Sequence, residues 1–131
     1  MSKGTLTYNP FVGVGFNVGG ETSATDFSPV AVDASDMGGV SVSYASEAAI
    51  ALEMDLGDAV NSAIAYANPY AALPKSTTGL TKFIPWSDFK QPTWYKGSTK
   101  INGEQASKML SALRFRLQAV PGSYAFNIQA I

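Results

Sequence analysis

Apolar and polar residues alternate with a period of two along much of this chain, which is the pattern of half-buried β-strands. Six runs carry the predicted strands: residues 12–16, 40–44, 50–56, 63–67, 81–86 and 113–118. In the run 50–56, four aliphatic side chains fall on one face, whereas Glu53 and Asp55 fall on the other. The pattern therefore predicts strands that each bury one face in a core.

Short links between these runs predict two β-hairpins. The link at residues 46–49 is short enough to join the two strands that flank it. Near the C-terminus, a turn signal at residues 121–123 joins the strand at 113–118 to a further run at 124–128.

Helical character is confined to residues 103–110, where most residues are good helix formers. Asn102 is a suitable N-cap, and Gln105 at the third helical position completes a capping box. The remaining Gly-, Pro- and Ser-rich segments predict loops at 19–39, 68–80 and 87–102. Short strands, one short helix and long loops together predict a single all-β domain over residues 1–131, an antiparallel β-sandwich of the jelly-roll type.

The composition excludes several classes of chemistry. The chain has no Cys and no His, which removes thiolate catalysis, the Ser-His-Asp arrangement and the commonest transition-metal ligands. The net charge of −1 disfavours a nucleic-acid partner, and no apolar run reaches the roughly 20 residues of a membrane helix. No apolar signal-peptide core follows Met1, so we expect the export signal of a secreted protein to be absent from this sequence.

Two kinds of motif allow a catalytic or nucleotide-binding interpretation. Asp33 with Asp36, and Asp55 with Asp58, are closely spaced acids, but a glycosidase needs carboxylates placed across a cleft. The simpler explanation is loop solvation for the first pair and a strand end for the second. The Gly-Val-Gly at residues 13–15 lacks the third glycine and the following helix of a phosphate-binding loop. Both motifs therefore favour a structural interpretation.

The aromatic residues are more informative. We expect a first group to lie in the core: Phe16, Trp86, Phe115, Tyr124 and Phe126. Trp94 and Tyr95 differ, because they occur in a polar loop without a periodic apolar partner. Exposed large rings are typical of binding sites, so these two are candidate ligand contacts, although the loop could also fold back and bury them.

A second candidate group consists of planar charged and amide side chains on the polar faces of two predicted strands: Glu53, Asp55, Arg114, Arg116 and Gln118. If the two strands share a sheet, these side chains form one polar strip. Planar bidentate groups pair well with vicinal hydroxyls, as sugar sites require. The alternative is a structural network of arginines and carboxylates on a solvated face.

Several segments resemble carbohydrate-binding modules of families 11 and 30 and their wider kin with a galactose-binding-like sandwich. The resembling segments are residues 38–44 (GGVSVSY), 82–89 (KFIPWSDF), 113–117 (LRFRL) and 124–131 (YAFNIQAI). Residues 73–76 and 86–91, with Gly103 and Glu104, look similar to modules in cellulases of rumen cellulose-degrading bacteria.

The resemblance implies a secreted, non-catalytic module that binds a plant cell-wall polysaccharide, such as cellulose or mixed-linkage β-glucan, for a glycoside hydrolase in the same chain. It implies that the module needs no cofactor and that neither nucleic acid nor a membrane is a binding partner. Relatives often have two acidic residues before the final Ile and some bind a structural calcium. Gln129 and Ala130 occupy those positions here, which argues against a calcium site of that kind. The alternatives are a structural, adhesion or coat-type sandwich that contacts other proteins, and a hydrolase that uses carboxylates alone.

Overall fold

A computed structural model describes residues 11–17, 31–118 and 126–130 of the chain. In chain order its strands are β1 Phe11–Asn17, β2 Gly39–Ser46, β3 Ile50–Asp55, β4 Tyr70–Leu73, β5 Ser76–Pro85, β6 Ala112–Gln118 and β7 Phe126–Ala130. The helices are α1 Asp58–Ala63 and α2 Gly103–Ser107, and single 3₁₀ turns cover Ser35–Met37 and Trp86–Asp88.

These strands form two antiparallel sheets that face each other. One sheet has the order β1-β6-β3-β4 and the other has the order β5-β2-β7. The alternation found in the sequence places the apolar side chains of both sheets in one core: Val40, Val42, Tyr44 and Ile84 come from the smaller sheet, and Leu52, Met54, Phe115 and Leu117 come from the larger. The predicted all-β antiparallel sandwich is thus confirmed.

The predicted hairpins are wrong in their pairing. β2 and β3 both form as expected, but β2 pairs with β5 and β7, whereas β3 pairs with β4 and β6. The short link between them crosses from one sheet to the other, and its turn is tightened by the Ser46 hydroxyl, which donates to the Ala48 carbonyl at 2.6 Å. β6 and β7 also lie in different sheets, so they do not form a hairpin either.

Two further predictions need correction. The predicted strand at 63–67 is instead the end of α1 and the turn after it, while the predicted loop at 68–80 contains β4 and the start of β5. The predicted strand at 81–86 forms the second half of β5, so only the start of β5 is missing from the prediction. β5 is an edge strand whose first eight residues are not buried, so burial imposes no alternation there.

The predicted helix at 103–110 is confirmed and is shorter than predicted, but the expectation of one helix is wrong, because α1 Asp58–Ala63 is a second. Asn102 accepts the Gln105 N–H at 2.8 Å, and the Gln105 side chain accepts the Asn102 N–H at 3.0 Å. This capping box starts α2, which ends at Ser107.

The aromatic core is confirmed for Phe115 and Trp86, which are buried. Phe16 is 41% exposed, because β1 is the edge strand of its sheet, although its ring still meets Phe115 edge-on at 5.9 Å. Tyr124 and the side chain of Phe126 lie outside the described residues.

Candidate functional site

The outer face of the four-stranded sheet carries the polar strip predicted from sequence. β3 and β6 are neighbours in this sheet, with Glu53 opposite Arg114 and Ala51 opposite Arg116. On the far side of β3, Tyr70 of β4 lies opposite Glu53. The expectation that the two polar strand faces share one sheet is therefore correct.

A groove of about 340 Å³ lies on this face. Its lining includes Ala49 and Ala51, which leave space because their side chains are small. The lining also combines exposed rings with polar side chains, among them Tyr66, Tyr70, Trp94, Glu53, Arg116 and Gln118. We refer to these eight residues as the groove.

Arg116 occupies the centre of the polar side. Its Nη1 donates to Glu53 Oε1 and its Nη2 donates to Gln118 Oε1, each at 3.1 Å. Glu53 is within reach because it is a diagonal neighbour of Arg116 on the adjacent strand, and Gln118 is within reach because it lies two residues further along β6 on the same face. The guanidinium is therefore held in one orientation before any ligand arrives, and its charge is matched by the Glu53 carboxylate.

Arg114 and Asp55, the other two members of the predicted strip, form a separate ion pair beyond the groove. Asp55 also accepts the Asn61 side-chain amide at 2.7 Å and the Gly57 N–H at 3.0 Å. Partial burial acts to raise the pKa of Asp55, but the hydrogen bonds from Asn61, Gly57 and Arg114 outweigh it and lower the pKa. For this pair, the geometry matches the structural-network alternative.

A buried amide network continues from Asp55 towards the groove. Asn61 accepts the Leu56 N–H at 3.1 Å and the Asn68 amide at 2.6 Å, and Asn68 also donates to the Met54 carbonyl at 2.8 Å. These bonds connect the end of β3, helix α1 and the segment before β4. They fix the segment that presents Tyr66 to the groove.

Trp94 is exposed, as predicted, and its ring lines the groove with 61% of the residue accessible. Its neighbour in the chain behaves differently. Tyr95 is buried to 9% exposure, packs with Ile64 and Ala67, and donates its hydroxyl to the Thr99 carbonyl at 2.8 Å. The expectation that Tyr95 is exposed is wrong, and the alternative that the loop folds back holds for this residue.

Tyr95 instead anchors the loop that carries Trp94. The Tyr95 N–H donates to the Pro92 carbonyl at 3.1 Å, which closes a tight turn at the tip of the loop. The two rings meet edge-on, with centroids 6.4 Å apart. Burial of Tyr95 therefore holds Trp94 at the surface.

Sequence reasoning missed two groove residues, Tyr66 and Tyr70. Both are exposed. The available signal was an aromatic residue on either side of Asn68-Pro69, a turn signal, in a stretch otherwise rich in alanine. That signal was obscured because residues 63–67 alternate in a way that resembles a strand.

Within the residues that the structure describes, no three acidic side chains come together as a metal site would require. No helix in those ranges is both long enough and apolar enough to cross a membrane. No protein-family model matches the chain, and neither curated proteins nor solved structures provide a significant match. The groove itself is therefore the basis for any functional assignment.

Proposed function

We propose that this chain is a non-catalytic carbohydrate-binding module that holds a β-glucan chain in the groove and brings an attached glycoside hydrolase to it. The supporting observation is the composition of the groove, which combines exposed aromatic rings with planar polar groups that are already hydrogen-bonded to one another. Localisation outside the cell, with plant cell-wall polysaccharide as the partner, belongs to the same proposal.

The chemistry of a pyranose matches both parts of the groove. Its faces carry C–H groups that pack on an aromatic ring, and its edges carry hydroxyls that bond to carboxylate, guanidinium and amide groups. Trp94 provides an exposed ring for stacking, while Glu53, Arg116 and Gln118 provide the polar contacts. A shallow groove with few anchors binds weakly, typically with micromolar to millimolar Kd.

The charge in the groove supports a neutral ligand. Glu53 and Arg116 form an ion pair at 3.1 Å, and Gln118 is uncharged. Glucans carry no charge, so they leave this pair intact and add hydrogen bonds to it. Arg116→Ala should therefore weaken binding by about tenfold, the usual effect of losing a charge-assisted hydrogen bond.

Native electrophoresis through gels that contain barley β-glucan, xyloglucan, xylan or galactomannan tests the proposal. Wild-type protein should be retarded by at least one glucan, and Trp94→Ala should lose that retardation. Phe83→Ala is the matched control, because Phe83 is also a large exposed ring, at 57%, but lies on β5 in the other sheet. Its migration should equal that of wild type.

Absence of retardation by every polysaccharide would contradict the proposal. Light scattering then addresses the alternative of an adhesion or coat-type protein. A large closed assembly would favour that alternative, whereas a monomer at all concentrations agrees with a binding module.

A further inference from the structure

Tyr66 combines high exposure with an unfavourable backbone conformation. It is 64% exposed, which is slightly more than Trp94, and its ring lines the groove. The φ angles of Ala65 and Tyr66 are +52° and +60°, so two successive residues with side chains adopt the left-handed region. Each such residue is unfavourable, and the exposed ring gains little burial in return.

The surrounding contacts force this conformation on the turn. The Tyr66 N–H donates to the Asn61 carbonyl at 2.7 Å, and the Ala65 N–H donates to the Ser62 carbonyl at 3.1 Å. Ile64 and Ala67, on either side of the pair, are completely buried. With both flanks held in the interior, the backbone between them can only turn outward, and it carries the Tyr66 ring with it.

The turn is also connected to the loop that carries Trp94. Ile64 and Ala67 pack with Tyr95 in one small cluster. Tyr95 directly follows Trp94 in the chain. The two exposed rings, Tyr66 and Trp94, are thus adjacent in sequence to members of the same buried cluster. Movement of one ring-bearing segment relative to the other would disrupt that cluster.

We propose that Tyr66 is a second ligand-contacting ring, preset by its left-handed turn to act together with Trp94 on the glycan. This inference rests on the proposed function. Tyr66 stacks on a sugar face through its ring, and Ala65 is a positioning residue that limits the directions the ring can take. The buried cluster of Ile64, Ala67 and Tyr95 keeps the two rings at a constant spacing.

Three variants test separately whether the Tyr66 ring contacts the glycan and whether Ala65 positions that ring. The probe is the glucan that retards wild-type protein. Tyr66→Ala should lose about tenfold in affinity. Its melting temperature should stay within about 2 °C of wild type, because an exposed side chain contributes little to stability. Tyr66→Phe should retain most of the affinity, since it keeps the ring.

Ala65→Gly tests the preset turn. Glycine adopts the left-handed region without strain, so the melting temperature should stay equal or rise slightly. Glycine also allows other backbone directions, so the ring is less confined and the affinity should fall several-fold. Affinity therefore falls without any loss of stability, which separates positioning of the ring from a general effect on folding. Phe83→Ala again serves as the control.

The outcomes separate this inference from the proposed function. If Trp94→Ala loses binding and Tyr66→Ala binds like wild type, the proposed function stands and the role of Tyr66 is overturned. If Ala65→Gly binds like wild type, the claim that the turn presets the ring is overturned. If wild-type protein binds no glucan, the proposed function fails and this inference fails with it.

Discussion

Truncation of Trp86 should remove a large part of the stability of this domain. Trp86 is 3% exposed, its indole N–H donates to the Ala34 carbonyl at 3.0 Å, and its ring packs on Phe89 at 5.6 Å. Replacing a buried Trp by Ala typically costs about 3–5 kcal/mol, because burial is lost and a cavity remains. The orphaned carbonyl adds about 1 kcal/mol or more.

That loss is large compared with the roughly 5–15 kcal/mol of a typical domain. For a chain of this size, Trp86→Ala should lower the melting temperature by about 10–20 °C. Urea unfolding followed by circular dichroism gives the free energy of unfolding for this variant and for Trp94→Ala. The second variant should remain within about 0.5 kcal/mol of wild type, since Trp94 is exposed. Equal losses in the two variants would contradict the assignment of one ring to the core and the other to the groove.

Further predictions concern the effects of low pH, of the Gly103→Ala substitution and of calcium removal on stability. The folded pKa of Asp55 lies below its unfolded value of about 4, so its contribution is complete above that pH and is lost as the pH falls towards the folded pKa. Melting temperatures should therefore be constant from pH 7 to about 5 and drop below about pH 4, with a smaller drop in Asp55→Asn. Gly103→Ala should destabilise the fold by about 1–3 kcal/mol in urea unfolding despite the better helix propensity of Ala, because its Cβ would lie 1.9 Å from the Trp86 carbonyl oxygen. Excess chelator should leave the melting temperature unchanged, and a fall of many degrees would reveal a calcium site.

The sequence predicts the strands of this protein better than their partners. Alternation depends on one face being buried, and β2, β3 and β6 each bury one face, so all three were predicted. Alternation does not specify which strands pair with each other in a sheet. The link at 46–49 is as suitable for crossing between sheets as for a hairpin, and only the tertiary packing distinguishes the two.

The candidate site shows the same limit at the level of single residues. Trp94 and Tyr95 share a polar loop, and nothing in the loop indicates that one ring would be exposed and the other buried. Burial of Tyr95 depends on Ile64 and Ala67, which lie about thirty residues earlier in the chain. Tyr66 was missed for a related reason, since its outward position comes from a left-handed turn that residues with side chains seldom adopt.

The polar strip was predicted as one group of five side chains, and the structure divides it. Strand alternation correctly places all five on one face. The division follows from diagonal pairing across the two strands, in which Arg116 contacts Glu53 and Arg114 contacts Asp55. Gln118 joins the first pair because it lies two residues beyond Arg116 on the same strand. Which carboxylate each arginine selects depends on side-chain reach across the sheet, and spacing along the sequence does not specify it.

The most direct test of the central claim is the tryptophan emission of the protein during titration with barley β-glucan. Trp86 is buried and does not line the groove, so only Trp94 can report a ligand there. Wild-type emission should shift to shorter wavelength as the glucan covers the Trp94 ring, with a saturable dependence on concentration. Trp94→Ala should show no such shift, and Phe83→Ala should shift like wild type. An unchanged wild-type spectrum at saturating glucan, or an equal shift in Trp94→Ala, would contradict the proposal that this groove binds a β-glucan.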